Sequence, residues 1–347
     1  MKAIVLTEKG DWASKKWGKL DCVDLPMPKI EHDDDVLIKV AYASICGSDP
    51  NMLNGIMDVD VGIGFGHEMA GTVVALGPGC THRGLKVGDK VTGCFVHFCG
   101  VCDACRRGME QFCTSREQHI VPCQAEYVVW SEDQVYKLPD DADLKCASLV
   151  EPMTIALHSV EKANIRMGDH VAVSGGGGIG LMVVELCKMA GAGKVTLLEP
   201  VEAKRNLALT LGADYALDST AADFNEKWTQ IAPDGFDRVI ECSGNRFAAQ
   251  TALEITKKGG TIVYMAQYPT DFRLPLDLST YLYHHELTLT GLFLSTYSFG
   301  PAIRMLHRMN LEPIIQKVYK LEECQQAYAD QISGKFAKIV FDCDCSK

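Results

Sequence analysis

Short hydrophobic-rich β-type runs over 36–42, 71–76, 90–94 and 125–130, separated by polar Gly, Pro and Asp punctuation, predict β-strands joined by turns. The opening Met1-Lys-Ala-Ile-Val-Leu-Thr-Glu-Lys reads as a further strand, and residues 1–152 as an all-β domain with irregular loops. After Glu151-Pro152 the rhythm changes to strand and helix in alternation: strands at 171–174, 194–199, 236–242, 261–266 and 287–291, and helices at 178–190, 201–211 and 246–256. Such alternation builds a parallel sheet covered by helices, so 153–292 is expected to be a doubly wound α/β domain. A helix at 300–309 and strands at 315–319 and 337–342 suggest that 293–347 return to the first domain, and chemistry is expected in the cleft between the two.

Composition narrows the class. The chain has 347 residues, 47% hydrophobic and 23% charged, which is ordinary for a globular protein of two domains. No stretch approaches the roughly 20 apolar residues needed to span a bilayer, and the N-terminal apolar run is too short for a secretion signal. A cytoplasmic protein without membrane contact is expected. Its net charge of −11, with no Lys/Arg cluster, also argues against nucleic acid as a partner. Fifteen cysteines in such a chain read as metal ligands and buried thiols rather than disulfides.

Gly175-Gly-Gly177-Gly178-Ile179-Gly180 follows an apolar strand and opens an amphipathic helix, the context in which G-x-G-x-x-G cradles a dinucleotide. The first glycine permits the turn, the second admits the pyrophosphate and the third lets helix and strand approach. Glu199 ends the next strand, where a carboxylate accepts hydrogen bonds from a ribose 2′-OH and repels a 2′-phosphate. NAD is therefore favoured over NADP. Lys204 and Arg205 could reach such a phosphate, or could be solvated residues on a helix surface.

Three metal-type signals precede this. Cys46-Gly-Ser-Asp and Gly66-His67-Glu68 supply a thiolate, an imidazole and a carboxylate, a set suited to an open catalytic Zn²⁺. Cys99, Cys102, Cys105 and Cys113 lie on one short loop with Gly100 and Gly108 between, and four thiolates close every position of a structural Zn²⁺. Two zinc ions per chain are expected, the second in a lobe over about 95–115.

Gly66-His-Glu-x-x-Gly71, Cys46-Gly-Ser-Asp, the Gly88-Asp89 turn, Glu151-Pro152 and the Gly175 motif occur together and in order across the whole chain. In these motifs it resembles the zinc-containing medium-chain alcohol dehydrogenases, and in carrying Glu151 it resembles their sorbitol, threonine and butanediol dehydrogenase branch. The resemblance implies a GroES-like β domain joined to a Rossmann domain. It also implies a catalytic zinc held by Cys46 and His67, with Glu68 and Glu151 as carboxylate ligands able to exchange. Ser48 is implied as the hydroxyl that first receives the alcohol proton, and Asp49 as the carboxylate that orients a ligating imidazole. Reversible oxidation of a secondary alcohol to a ketone follows, with a small-molecule substrate and a homodimer or homotetramer paired through edge strands near 287–294.

Where many relatives carry a proton-relaying histidine, this chain has Asn51, so protons are expected to leave through water. Ile56, Met57, Ile63 and Phe65, and later Phe293, Tyr297 and Phe299, would favour a bulky apolar alcohol such as a hydroxysteroid or terpenoid over a polyol or cyclitol if they lined the cleft. Two other readings remain at this stage: a zinc-free quinone or enone reductase of the same fold, and a non-enzymatic nucleotide-binding protein.

Overall fold

The computed structural model describes residues 1–115, 122–295 and 298–345. The chain forms two units, one of Met1–Pro152 with Phe299–Lys347 and one of Met153–Ser298. The second crossing thus falls a few residues after the expected 292, because Leu294 and Ser295 stay bound to the second unit. Leu294 O lies 2.9 Å from His158 Nδ1, and Ser295 Oγ accepts from Thr154 at 2.8 Å.

The first unit is organised by the strand Asp35–Ser44, whose alternating Val36, Ile38 and Val40 are fully buried. This strand pairs antiparallel with Glu68–Leu76 on one edge and with Tyr127–Ser131 and Lys338–Asp342 on the other. The seven-stranded sheet is completed by Lys90–Gly93, Val135–Lys137 and Ile315–Lys320, and Lys2–Glu8 pairs with Lys19–Asp24 in a separate two-stranded sheet. Its core gathers Ile4, Leu6, Phe65, Trp130 and Phe341. Register carries a functional consequence: Ser44 stands opposite both Glu68 and Val340, so Cys46, His67 and Lys338 reach the same end of the sheet.

In the second unit six parallel strands run in the order Tyr215–Leu217, Lys194–Leu198, His170–Ser174, Phe236–Glu241, Thr256–Tyr264, Thr288–Gly291. Successive crossovers diverge from the third strand of that order, the switch point at which open α/β sheets bind ligands. The β-plus-α/β architecture expected from the sequence is observed.

Several helices were not anticipated. Val150–Ala163 is one, because Pro152 reads as a stop; it sits in the first turn, where no amide donor is required. Phe224–Ile231 is another, with Phe224 its only buried residue. The expected helix at 300–309 is α-helical over Phe299–Met305 and tightens to 3₁₀ over Leu306–Arg308. No helix among the described residues is long and apolar enough to cross a membrane.

Candidate active site

Ligand atoms of Cys46, His67 and Glu68 lie within 4.8 Å of one another. Ser48 occupies the position that would cap the helix Asp49–Leu53, yet its side chain makes no cap bond. Its hydroxyl donates instead to Cys46 Sγ at 3.2 Å, which leaves it beside the cluster. Asp49, buried beneath, holds the group together: Oδ1 is 3.6 Å from His67 Nδ1, while Oδ2 accepts the Cys46 amide at 3.0 Å. The Phe95 ring packs on His67 at 4.6 Å between centroids.

A further layer was invisible in sequence. Glu68 Oε2 accepts from Ser44 Oγ and from the buried ammonium of Lys338, which also donates to Ile45 O at 2.7 Å. Tyr328, equally buried, donates to Gln124 Oε1 at 2.9 Å and lies 3.3 Å from Asp49 Oδ2. Glu151 lies in the first turn of its helix and is 6% exposed, outside the three-residue cluster but electrostatically coupled to His67 and Glu68.

The donors fit a divalent cation. Glu68 Oε1 is buried without a hydrogen-bond partner among the described residues. Burial opposes charge on His67, but Cys46, Asp49 and Glu151 outweigh it and hold the imidazole pKa well above its ordinary value. Burial lifts the Glu151 carboxyl to about 7, with Glu68 adding to the shift and His67 opposing it. These groups create a buried negative potential, and a soft thiolate, an imidazole and carboxylates are a donor set that zinc accepts.

Cys99, Cys102, Cys105 and Cys113 also bring their sulfurs within 4.8 Å of one another, Cys99 and Cys113 to 3.5 Å. A tetrahedron with Zn–S bonds of about 2.3 Å has edges of about 3.8 Å, so the cluster is of the right size. Backbone amides, chiefly that of Cys105, bring the Cys102 thiol down to about 6, whereas burial and neighbouring thiols push Cys105 up to about 12. Four crowded thiols cannot all ionise without a cation among them. Asp143, Cys146 and Glu312 also bring donor atoms within 4.8 Å of one another, but Asp143 caps a helix through the Lys145 amide and Lys145 Nζ holds Glu312 at 2.7 Å, so both carboxylates are already engaged.

In the second unit the glycine roles are physical. Gly175 has φ of 98°, and a Cβ on Gly180 would lie 1.9 Å from Gly175 O. A Cβ on Gly177 would meet nothing within 4 Å, which leaves room for a ligand's backbone approach at the start of the helix Gly178–Met189, with Ile179 in its first turn. Glu199 is tied into this turn, accepting from Gly176 N at 2.6 Å and Val201 N at 2.9 Å. A cavity of about 510 Å³ adjoins it, lined by Gly175, Glu199, Ser243 and Phe247 among others. Ser243 and Phe247 were missed; Phe247 is conspicuous only in the fold, as an aromatic ring 83% exposed at that cavity.

Two surface readings are corrected. Lys204 is buried, not solvated, and burial lowers its pKa. Arg205 donates to the carbonyls of Glu199 and Pro200 at 2.8 and 2.6 Å, so it is engaged with the backbone. The apolar residues suspected of facing a substrate divide likewise: Phe65 and Phe299 are buried and Ile63 packs on the core, while Ile56, Met57 and Phe293 are exposed. Tyr297 lies outside the described residues.

Two family models match the chain, one described as the alcohol dehydrogenase GroES-like domain over residues 32–140 and one as zinc-binding dehydrogenase over 178–308. D-arabinitol dehydrogenase 1 of Uromyces fabae is 30% identical over 322 residues, 90% of this chain and 91% of its own. A solved chain from Clostridium scindens described as a zinc-binding dehydrogenase is 37% identical with a TM-score of 0.92, covering 99% of both chains. Another, from Sinorhizobium meliloti and bound to NADP, is 27% identical with a TM-score of 0.85, covering 98% of both.

Proposed function

The chain belongs to the zinc-containing medium-chain alcohol dehydrogenases, and from that membership we propose that it is a zinc-dependent, NAD-linked enzyme interconverting a secondary alcohol and its ketone. The observation that carries this reading is the meeting of Cys46, His67 and Glu68 within 4.8 Å, with the Ser48 hydroxyl 3.2 Å from Cys46 Sγ. When bound, zinc supplies Lewis acidity to the substrate oxygen and NAD accepts the hydride. Cys46 and His67 hold the ion, and Glu68 and Glu151 are carboxylates within electrostatic reach that can exchange onto it. Ser48 Oγ takes up the alcohol proton, which leaves through water because Asn51 cannot titrate. Asp49 fixes the His67 ring, and Gly175 to Gly180 receive the pyrophosphate.

A polyol or cyclitol is the favoured substrate class. Burial of Phe65 and Phe299 removes much of the support for a bulky apolar alcohol, and a relative is named for D-arabinitol. A zinc-free reductase would have no use for the buried negative cluster. The test is NAD reduction by a panel of polyols, cyclitols, short secondary alcohols and hydroxysteroids, compared by kcat/KM. Turnover that is indifferent to zinc removal, or confined to quinones and enones, would overturn the reading. Pairing into a dimer or tetramer through Thr288–Gly291 is part of the same proposal, since that strand lies at the edge of its sheet.

Two expected results follow. Glu199→Ala removes the ribose acceptor and should lower kcat/KM with NAD about tenfold to a hundredfold, the worth of a charged hydrogen bond, with a smaller loss for NADP. Equal losses for the two cofactors would assign Glu199 to the turn alone. Cys102→Ser should release the ion held by the four thiols, so that metal analysis finds one zinc per chain rather than two. The lobe over 95–115 should then be cut by proteases while hydride transfer persists. Retention of two zincs would contradict it.

A further inference from the structure

A second cavity of about 340 Å³, in the size range of small-molecule sites, lies in the first unit between the hairpin at 9–18, the helix Asp49–Leu53 and the helix Cys324–Ile332. Its walls include Trp17, Leu20, Leu53, Tyr328 and Ile332, with Trp17 43% and Ile332 38% exposed at the opening. Lys19 and Gln325 are also at this cavity, but both donate to Asp21, at 2.9 and 3.0 Å. The Lys19 charge is therefore paired with Asp21, and the Gln325 amide is turned to the same carboxylate. The cavity offers an aromatic and aliphatic lining without an unpaired charge, which selects a neutral, flat, apolar occupant about the size of one or two fused rings.

Two of its walls are also part of the metal centre's support. Tyr328 lines the cavity and places its hydroxyl 3.3 Å from Asp49 Oδ2, the carboxylate that bonds the Cys46 amide and faces His67. Leu53 ends the five-residue helix that Asp49 begins, and its carbonyl accepts from Gly18 N at 2.7 Å, next to Trp17. An occupant that displaces either wall displaces the group that sets Cys46 and His67. We propose that this cavity binds a neutral ring-bearing small molecule, and that its occupancy is coupled to the catalytic centre through Tyr328 and the helix Asp49–Leu53. The coupling rests on the reading of Cys46 and His67 as catalytic ligands; the binding does not.

Indole is a suitable probe, neutral and without a carbinol to oxidise. The chain's four tryptophans give four side-chain N–H signals in holoenzyme labelled with ¹⁵N-tryptophan, and Trp17→Phe identifies its own. Indole should shift the Trp17 signal saturably, with a midpoint of about a millimolar. Ala329→Phe, at an exposed cavity-lining position, fills the space and should abolish the shift. At saturation kcat should change about fivefold with the alcohol KM little altered, and the visible band of cobalt-substituted holoenzyme should move. Both responses should vanish in Ala329→Phe. An unmoved Trp17 signal overturns the site. A moved Trp17 signal with constant kcat and cobalt band overturns the coupling. Inhibition that competes with alcohol and survives Ala329→Phe places the effect of indole at the catalytic centre and overturns the coupling. If no alcohol is oxidised at all, the proposed function fails, while the Trp17 signal and the cobalt band still decide this inference.

Discussion

Cys46→Ala should abolish alcohol oxidation while leaving the fold intact. The substitution keeps the backbone amide that Asp49 accepts at 3.0 Å, so the turn entering the helix Asp49–Leu53 survives. What it removes is the one thiolate of the cluster and the acceptor of the Ser48 hydroxyl. Without that ligand the proposed catalytic zinc should be lost and metal analysis should find a single ion per chain, held by the four clustered cysteines. A bound Lewis acid is worth several kcal/mol at the transition state and each 1.4 kcal/mol is tenfold in rate, so kcat/KM should fall by about a thousandfold or more. NAD binding should be unchanged, because the glycine turn and Glu199 belong to the other unit. An enzyme that retains its activity with this substitution would remove Cys46 from the mechanism.

Sequence made these candidate positions legible because their chemistry is carried by short spacings: two residues separate Cys99 from Cys102 and Cys102 from Cys105, and His67 adjoins Glu68. The glycine turn was legible for the same reason, since its context is a strand and a helix contiguous in the chain. The supporting layer is different in kind. Lys338 meets Glu68 across 270 residues of sequence, and Tyr328 meets Asp49 across 279. No local pattern marks either. Lys338 reads as a charged residue at the start of a terminal strand, and becomes informative only when pairing sets Val340 opposite Ser44. Tyr328 lies in a helix with three Gln and one Asp whose buried positions, Cys324, Ala327 and Tyr328, have helical spacing but too little hydrophobicity to stand out. Lys204 misled for the opposite reason: charge predicts solvent, and here the fold covers it.

That hidden layer supports the second large effect. Lys338→Met should destabilise the protein by about 3–5 kcal/mol, because it leaves Glu68 buried without its counter-ion. The carboxylate is 1% exposed, and among the described residues Ser44 alone would remain as its side-chain donor. A melting temperature lower by about 10 °C is expected for a unit of this size. The double variant Lys338→Met with Glu68→Leu should recover most of that loss, since two desolvated charges cost nearly as much as their attraction returns. Activity should not recover with stability. Glu68 Oε2 is held by Lys338 while Oε1 is buried without a hydrogen-bond partner among the described residues, so the ammonium restrains the carboxylate beside Cys46 and His67. The single variant should therefore alter zinc affinity and kcat, and the stable double variant should remain impaired in both. Additive losses in stability would show that Lys338 and Glu68 do not act as a pair, and full activity in the double variant would show that the pair serves folding alone.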